Sequence, residues 1–386
     1  MDRKKSGGII YKLTVKLTTF VLHVLFKSDI ETLKDVPQPF LILSNHTTDF
    51  DCLFVSIAAQ VPVSFVATET LLRMGLLGKF AVKVFDPIIH YKGTMGFATS
   101  KHIIQSVREG KNVAMFPEGN RSFNGATCPI PPATAKLARI CQGTLVTYKM
   151  EGGYFTSPRW ASKLRKGRIT GRIAGIYPPD MLKTMKPAEI QEIIEKDLYT
   201  DAYEEQRENP TAFRGKNRAE HLESTLFVCP SCEKIGSLTS HGNYLSCECG
   251  FKAEYDEYGM INASQRSYTI SELDRKQREK LEKLCQEEST DILFEDKIIF
   301  RLINENHEIE NTETVGLSAY RDRLVVGETV IPYSKITGIA INRRNLLLIH
   351  VDGIPGHCEI TGEAAFNALK YLYLFRTVCG SYTGVL

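Results

Sequence analysis

The chain has 386 residues, 43% hydrophobic and 24% charged, a balance that excludes wholesale disorder and allows two or three globular domains. No uninterrupted run of about 20 apolar residues occurs, so a conventional spanning helix is not expected. The net charge of +3 hides an asymmetry: residues 1–228 hold 31 basic and 22 acidic side chains (+9), and residues 229–386 hold 17 and 23 (−6). A basic front part suits an anionic partner, whether a membrane surface, a phosphorylated substrate or a nucleic acid.

Residues 1–35 open with Arg3, Lys4 and Lys5, and Thr18–Phe26 has the outline of a signal peptide, yet no small-residue cleavage site follows. Within residues 9–27, Leu13, Leu17, Phe20, Val21, Val24 and Leu25 fall on one broad helical face flanked by Lys12, Lys16 and Lys27. Such a helix lies in a bilayer interface or packs on the protein's own core.

Pro39–Ser44 is a short continuous apolar run, the mark of a strand buried on both faces. A helical pattern follows over about Asp49–Gln60, then a strand at Val63–Ala67. Next come a helix at Ser100–Glu109 ended by Gly110, a buried strand at Asn112–Phe116, a helix at Ala133–Cys141 and a strand at Thr144–Lys149. Pro187 opens a helix carrying Ile190, Ile193, Ile194 and Leu198, and Asn209-Pro210 closes the region. Strands alternating with helices at this spacing predict an α/β domain over residues 36–222.

Four cysteines then fall between Cys229 and Cys249, in residues 223–262, and clustered pairs of this kind hold a metal in a reducing compartment. Residues 263–290 contain a charged, weakly amphipathic connector helix at Ser271–Glu288. Residues 291–386 turn to short β-rich runs closed by one amphipathic helix, Glu363–Val378, which predicts a separate small β domain.

Two constellations in the α/β domain carry chemistry. The first, Asn45-His46-Thr47-Thr48-Asp49-Phe50-Asp51, directly follows a buried strand. His46 and Asp51, five apart, stand about 140° apart on a helix, so they meet only if His46 lies in the loop and Asp51 in the helix's first turn. A carboxylate so placed makes the imidazole a general base; otherwise Asp49 or Thr48 merely caps the helix. The second, Phe116-Pro117-Glu118-Gly119-Asn120-Arg121-Ser122, also follows a buried strand. Arg121 can hold phosphate oxygens bidentately beside a glycine turn, and the plainer reading is a surface ion pair.

The two motifs in this order, about 70 residues apart, resemble the glycerolipid acyltransferase family, typified by 1-acylglycerol-3-phosphate acyltransferases, over roughly residues 10–220. The resemblance implies an α/β domain with a mixed sheet flanked by helices. It also implies His46 and Asp51 as the catalytic pair, and Glu118, Gly119 and Arg121 as the acceptor-phosphate motif, with Asn120 where Thr is common. A further family motif corresponds to Pro87–Lys92, where Lys92 takes the place of an Arg and Tyr91 that of an acidic residue. The later strand, Thr144–Tyr148, lacks the family's proline. The implied reaction is transfer of a fatty acyl group from acyl-CoA or acyl carrier protein to the hydroxyl of a lysophospholipid, 1-acylglycerol-3-phosphate above all. It would take place at the cytoplasmic side of a membrane, as a peripheral or monotopic protein. A non-catalytic lipid-binding protein on the same fold is the alternative.

Cys229, Cys232, Cys247 and Cys249 resemble a zinc ribbon, and two thiolate pairs on short hairpins suit structural zinc. No redox cofactor is expected. Ribbons also bind nucleic acid, but this segment is not basic, so no nucleic-acid partner is expected. The C-terminal pattern resembles pleckstrin-homology or GRAM domains, where Arg321, Arg323, Arg343 and Arg344 would meet a lipid head group or form a solvated face.

Overall fold

Apolar runs flanked by amphipathic helices collapse into a layered core, and the middle strands of the first half are buried accordingly. The computed structural model describes residues 2–90, 96–305, 308–363 and 366–380. The chain divides into two units, one of residues up to Pro158 with Arg165–Arg214, the other of Arg159–Leu164 with Gly215 onward.

The first unit begins with α1 (Asp2–Phe26), β1 (Asp29–Ile30), β2 (Phe40–Ser44), α2 (Asp51–Ala59) and β3 (Val63–Thr68). A 3-10 turn (Glu69–Arg73) leads to α3 (Gly75–Phe85), β4 (Ile88–His90), α4 (Phe97–Arg108), β5 (Asn112–Met115) and α5 (Ala133–Cys141). The unit closes with β6 (Thr144–Glu151), α6 (Gly153–Thr156), β7 (Thr170–Tyr177), α7 (Pro179–Thr184), α8 (Pro187–Leu198) and α9 (Ala202–Glu208).

The sheet has the order β1-β7-β6-β2-β5-β3-β4. β2 runs parallel to both β5 and β6, β3 runs parallel to β5 and β4, and β6 and β7 are antiparallel. The mixed, helix-flanked sheet is as expected. Every residue of β2 is buried, and its alternate side chains feed two cores. Phe40 and Ile42 pack with α1 and α2 through Phe26, Phe54 and Val55. Leu41 and Leu43 pack with α4, α5 and α8 through Val107, Leu137 and Ile194.

α1 divides its apolar residues in a way the sequence left open. Tyr11, Val15, Leu22 and Phe26 are buried, whereas Leu13, Leu17, Phe20 and Val24 stay 63–69% exposed. At 100° per residue, Leu13 and Leu17 lie about 200° from Tyr11 and Val15, so the helix has two apolar rows on opposite sides. No helix among the described residues is long and apolar enough to cross a membrane.

In the second unit, β8 (Leu238–His241), β9 (Tyr244–Cys247), β10 (Lys252–Tyr255), β11 (Ile261–Ala263) and β12 (Ser267–Tyr268) form an antiparallel sheet in sequence order. α10 (Ile270–Gln286) buries Ile270, Leu273, Gln277 and Leu281 on one stripe. It is a packed element: Gln277 accepts the Phe227 N–H and donates to the Thr225 carbonyl.

The β-rich region contains β13 (Phe294–Ile303), β14 (Ile309–Ala319), β15 (Arg323–Val326), β16 (Thr329–Pro332), β17 (Ile336–Asn342), β18 (Leu346–Val351) and β19 (His357–Gly362). These strands make one antiparallel sheet of order β16-β15-β14-β13-β19-β18-β17. The closing helix α11 (Ala368–Cys379) starts later than the periodicity predicts, because the Asn367 side chain accepts the Lys370 N–H and caps it there. Tyr373 of α11 donates to Asp274 of α10 at 2.9 Å.

Candidate functional site

β2 and β5 are parallel neighbours, with Leu43 opposite Met115, so their following loops leave the sheet at the same end. In open α/β sheets, ligand sites form beyond the carboxyl ends of the strands. One loop carries Asn45–Phe50 and the other Phe116–Ser122. They are stitched together: the His46 N–H donates to Glu118 Oε1 at 2.7 Å, and the Ser122 N–H donates to the His46 carbonyl at 3.3 Å. Phe116 stacks on the His46 ring with centroids 4.5 Å apart and planes 19° from parallel.

His46 lies in the loop and Asp51 is the first residue of α2, the arrangement required for them to meet. His46 Nδ1 is 2.9 Å from Asp51 Oδ2. Asp51 is fully buried and accepts four further hydrogen bonds, from the N–H and hydroxyl groups of Thr47 and Thr48, at 2.5–3.1 Å. With the carboxylate on Nδ1–H, the imidazole lone pair sits on Nε2. The capping alternative is not what Thr48 does: α2 has Phe50 as its N-cap with no side-chain cap bond, and Thr48 Oγ1 accepts the Phe50 N–H at 2.9 Å in a turn before the helix. Asp49 does no capping; its exposed carboxylate meets Arg121 Nε at 3.2 Å.

Arg121 is 13% exposed in its side chain and also donates to the Ser157 carbonyl at 3.0 Å. Glu118 is buried, and both its oxygens are engaged, the second by the Cys128 N–H at 2.5 Å. Burial pushes its carboxyl from the ordinary 4.5 up to about 8, against the pull of the two N–H groups. Glu118 therefore ties three loop segments together. Gly119 adopts φ +65°, and its N–H closes the turn onto the Phe116 carbonyl. Lys92 lies outside the described residues.

Asn45, Ser157 and Cys128 join the site in the structure, beyond the residues that the motifs mark. Asn45 is buried just past β2, and its amide pairs with both the N–H and the carbonyl of Met150 on β6, at 2.7 and 2.8 Å. It extends the ladder by side chain and sets where His46 emerges. A polar residue ending a buried apolar run was the available signal. Ser157 and Cys128 meet Arg121 and Glu118 through their backbone carbonyl and N–H at 3.0 and 2.5 Å, contacts that no local pattern marks.

The cysteines come together in the second unit. Their four sulfurs all lie within 4.8 Å of one another, with Cys229–Cys249 at 3.7 Å and Cys232–Cys247 at 3.8 Å. A tetrahedron with bonds of about 2.3 Å to sulfur has edges of about 3.8 Å, so the set fits zinc. Each pair sits on a tight turn. The Glu233 N–H bonds the Cys229 carbonyl with Glu233 at φ +58°, and the Gly250 N–H bonds the Cys247 carbonyl with Gly250 at φ +94°.

Two of the four C-terminal arginines have partners within their own unit. Arg321 donates to the carbonyls of Leu284 and Ser289 and pairs with Glu287, so it holds the end of α10. Arg323 pairs with Asp322 and lies over the Tyr320 ring at 4.2 Å.

Residues 27–151 match the acyltransferase family model, a segment that contains His46, Asp51, Glu118, Gly119 and Arg121. Among solved structures, the 1-acyl-sn-glycerophosphate (LPA) acyltransferase PlsC from Thermotoga maritima is similar at 18% identity, over 51% of this chain and 80% of that chain, with a TM-score of 0.44.

Proposed function

With an acyltransferase domain at residues 27–151 as the premise, we propose that the protein moves a fatty acyl group from an acyl thioester to the hydroxyl of a lysophospholipid at a membrane surface. The first acceptor to test is 1-acylglycerol-3-phosphate. The observation that carries this reading is the His46 Nδ1–Asp51 contact of 2.9 Å. Nε2 takes the acceptor's hydroxyl proton as its oxygen attacks the thioester carbonyl. The tetrahedral intermediate then expels the thiolate, which takes the proton back from the imidazolium. No covalent acyl-enzyme is needed. Asp51 fixes the tautomer and stabilises the imidazolium.

Arg121, with Lys92, binds the acceptor phosphate. The exposed Asp49 carboxylate is the partner a phosphate displaces from Arg121. Ser157 keeps the guanidinium oriented meanwhile. Holding the phosphate fixes the hydroxyl near His46, and such positioning is worth several kcal/mol. Glu118 serves by joining the loops, and Gly119 by turning the chain so that Arg121 follows closely.

Cys229, Cys232, Cys247 and Cys249 would hold a structural zinc ion, whose four protein ligands leave no open position for chemistry. The exposed apolar row of α1, with Lys12 and Lys16 beside it, supports a peripheral or monotopic place on a membrane, and the cytoplasmic face is part of the proposal. The donor is acyl-CoA or acyl carrier protein. The test is product analysis by mass spectrometry over a panel of lysophospholipids with purified protein. His46→Ala should lower turnover by orders of magnitude; near wild-type turnover in that variant would overturn the mechanism.

A further inference from the structure

We infer that the corner formed by the 3-10 turn Glu69–Arg73 and the start of α3 inserts into an anionic phospholipid bilayer, as a second membrane contact beside α1. The inference rests on the membrane reading proposed above and adds a segment to it. At this corner Leu72, Met74, Leu76, Leu77 and Phe80 are 52%, 51%, 85%, 71% and 49% exposed. Consecutive leucines so open to water are not the scattered single apolar residues that any surface carries.

The corner is a built feature. Gly75 turns the chain at φ +59°, and Gly78 is buried against the preceding turn. A Cβ at Gly78 would come 2.1 Å from the Leu71 carbonyl oxygen, so only glycine lets the two segments fold onto each other. The far end of α3 is anchored: the Phe85 ring packs edge-on against both Tyr11 of α1 and Phe65, each at 5.9 Å. The helix is therefore held at one end by the core and offers its leucines at the other.

Charge decides the occupant. Residues 2–26 and 69–85 together hold eight lysines and arginines against Asp2 and Glu69 alone. Lys79 and Lys83 on α3 and Lys12 and Lys16 on α1 are all exposed. Long cationic stems beside apolar side chains can lie along the hydrocarbon boundary while their ammonium groups meet anionic head groups. Because α3 packs on α1, whose outer row is also apolar and exposed, one lipid surface accounts for both.

Tryptophan placed at the corner tests this in the full-length protein. The native Trp160 is fully buried and serves as a constant background. In vesicles of phosphatidylglycerol and phosphatidylcholine, Leu76→Trp and Leu77→Trp should shift their emission to the blue and be quenched by brominated acyl chains. Leu17→Trp on α1 is the companion probe. Leu77→Glu should lower vesicle partitioning by at least about tenfold, the change that withdrawing one buried leucine carries, and leave turnover of a water-soluble short-chain substrate unchanged. Quenching at residue 17 without quenching at 76 or 77 would overturn this inference and leave the membrane reading standing. No quenching at any of the three would overturn both. A blue shift that needs no vesicles and grows with protein concentration would identify the corner as a self-association surface, and would also overturn it. Equal binding to purely zwitterionic vesicles would overturn the anionic requirement.

Discussion

Asp51 does two jobs, and they separate on mutation. It accepts from His46 and also from four backbone and hydroxyl donors at zero exposure. In Asp51→Asn an amide NH₂ faces donors, so turnover should fall and unfolding free energy should drop by about 1–3 kcal/mol. His46→Ala, whose side chain is partly exposed, should lose turnover with the urea midpoint nearly unchanged. Equal unfolding curves for the two variants would show that the Asp51 network adds no stability.

Glu118 adds a pH signature. Its folded value of about 8 lies above the ordinary 4.5, so the folded chain holds a proton that the unfolded chain has released. Its contribution is fully present below pH 4.5 and is lost as the pH rises to about 8. The stability of the wild type relative to Glu118→Gln should fall across that window and level off above it; a flat difference would mean that the two N–H groups hold Glu118 ionised throughout. For Arg121, Arg121→Lys should raise the acceptor's KM strongly and the donor's little, since an ammonium cannot keep Ser157 and grip a phosphate bidentately. Equal effects on both substrates would make Arg121 a structural residue.

At the scale of elements, α1 shows why periodicity alone left two readings. Apolar residues on both sides of a helix add to one apparent broad face, and only the neighbours decide which row is covered. Leu22→Ala, in the buried row, should cost about 2–5 kcal/mol of unfolding free energy. Leu17→Gln, in the exposed row, should leave unfolding unchanged while weakening association with anionic vesicles. The reverse pattern would mean that the exposed row serves the fold. Within residues 36–222 the buried strands β2, β3, β5 and β6 and the helices α2, α4, α5 and α8 were legible, because a five-residue run such as Phe40–Ser44 has one economical place, the middle of a covered sheet, whereas α3, β4, α6, β7, α7 and α9 were not read from the sequence. The start of α11 was not, because it depends on a single cap at Asn367.

At the scale of the whole molecule, the Cys229–Gly250 stretch contains few large apolar side chains, chiefly Ile235, Leu238, Tyr244 and Leu245. Ordering a chain opposes folding by about 1–2 kcal/mol per residue, which so little apolar surface does not offset. Zinc ligation does, at about 10–16 kcal/mol in small fingers. The protein should therefore bind one zinc per chain. Chelation or Cys232→Ser should abolish hydrogen-exchange protection in β8–β10 while the loop from Asn45 to Asp51 keeps its own. Elemental analysis without metal would refute the ligation. Activity falling in proportion to zinc, with β8–β10 still protected, would refute a purely structural role.

By itself the sequence marked where candidate sites lie: an apolar run ending in Asn45-His46, another ending in Phe116-Pro117-Glu118, and four cysteines in two pairs. Burial patterns locate these segments, and the resemblance to glycerolipid acyltransferases, not a local rule, suggests the roles of the first two. Only the tertiary structure decided what each side chain does there. Glu118 holds the His46 N–H across 72 positions, Arg121 reaches Ser157 across 36, and Arg321 is spent on the end of α10 across 37. The partner of a buried carboxylate or guanidinium is set by which strands lie side by side and which carbonyls need a donor, and no local period encodes that adjacency.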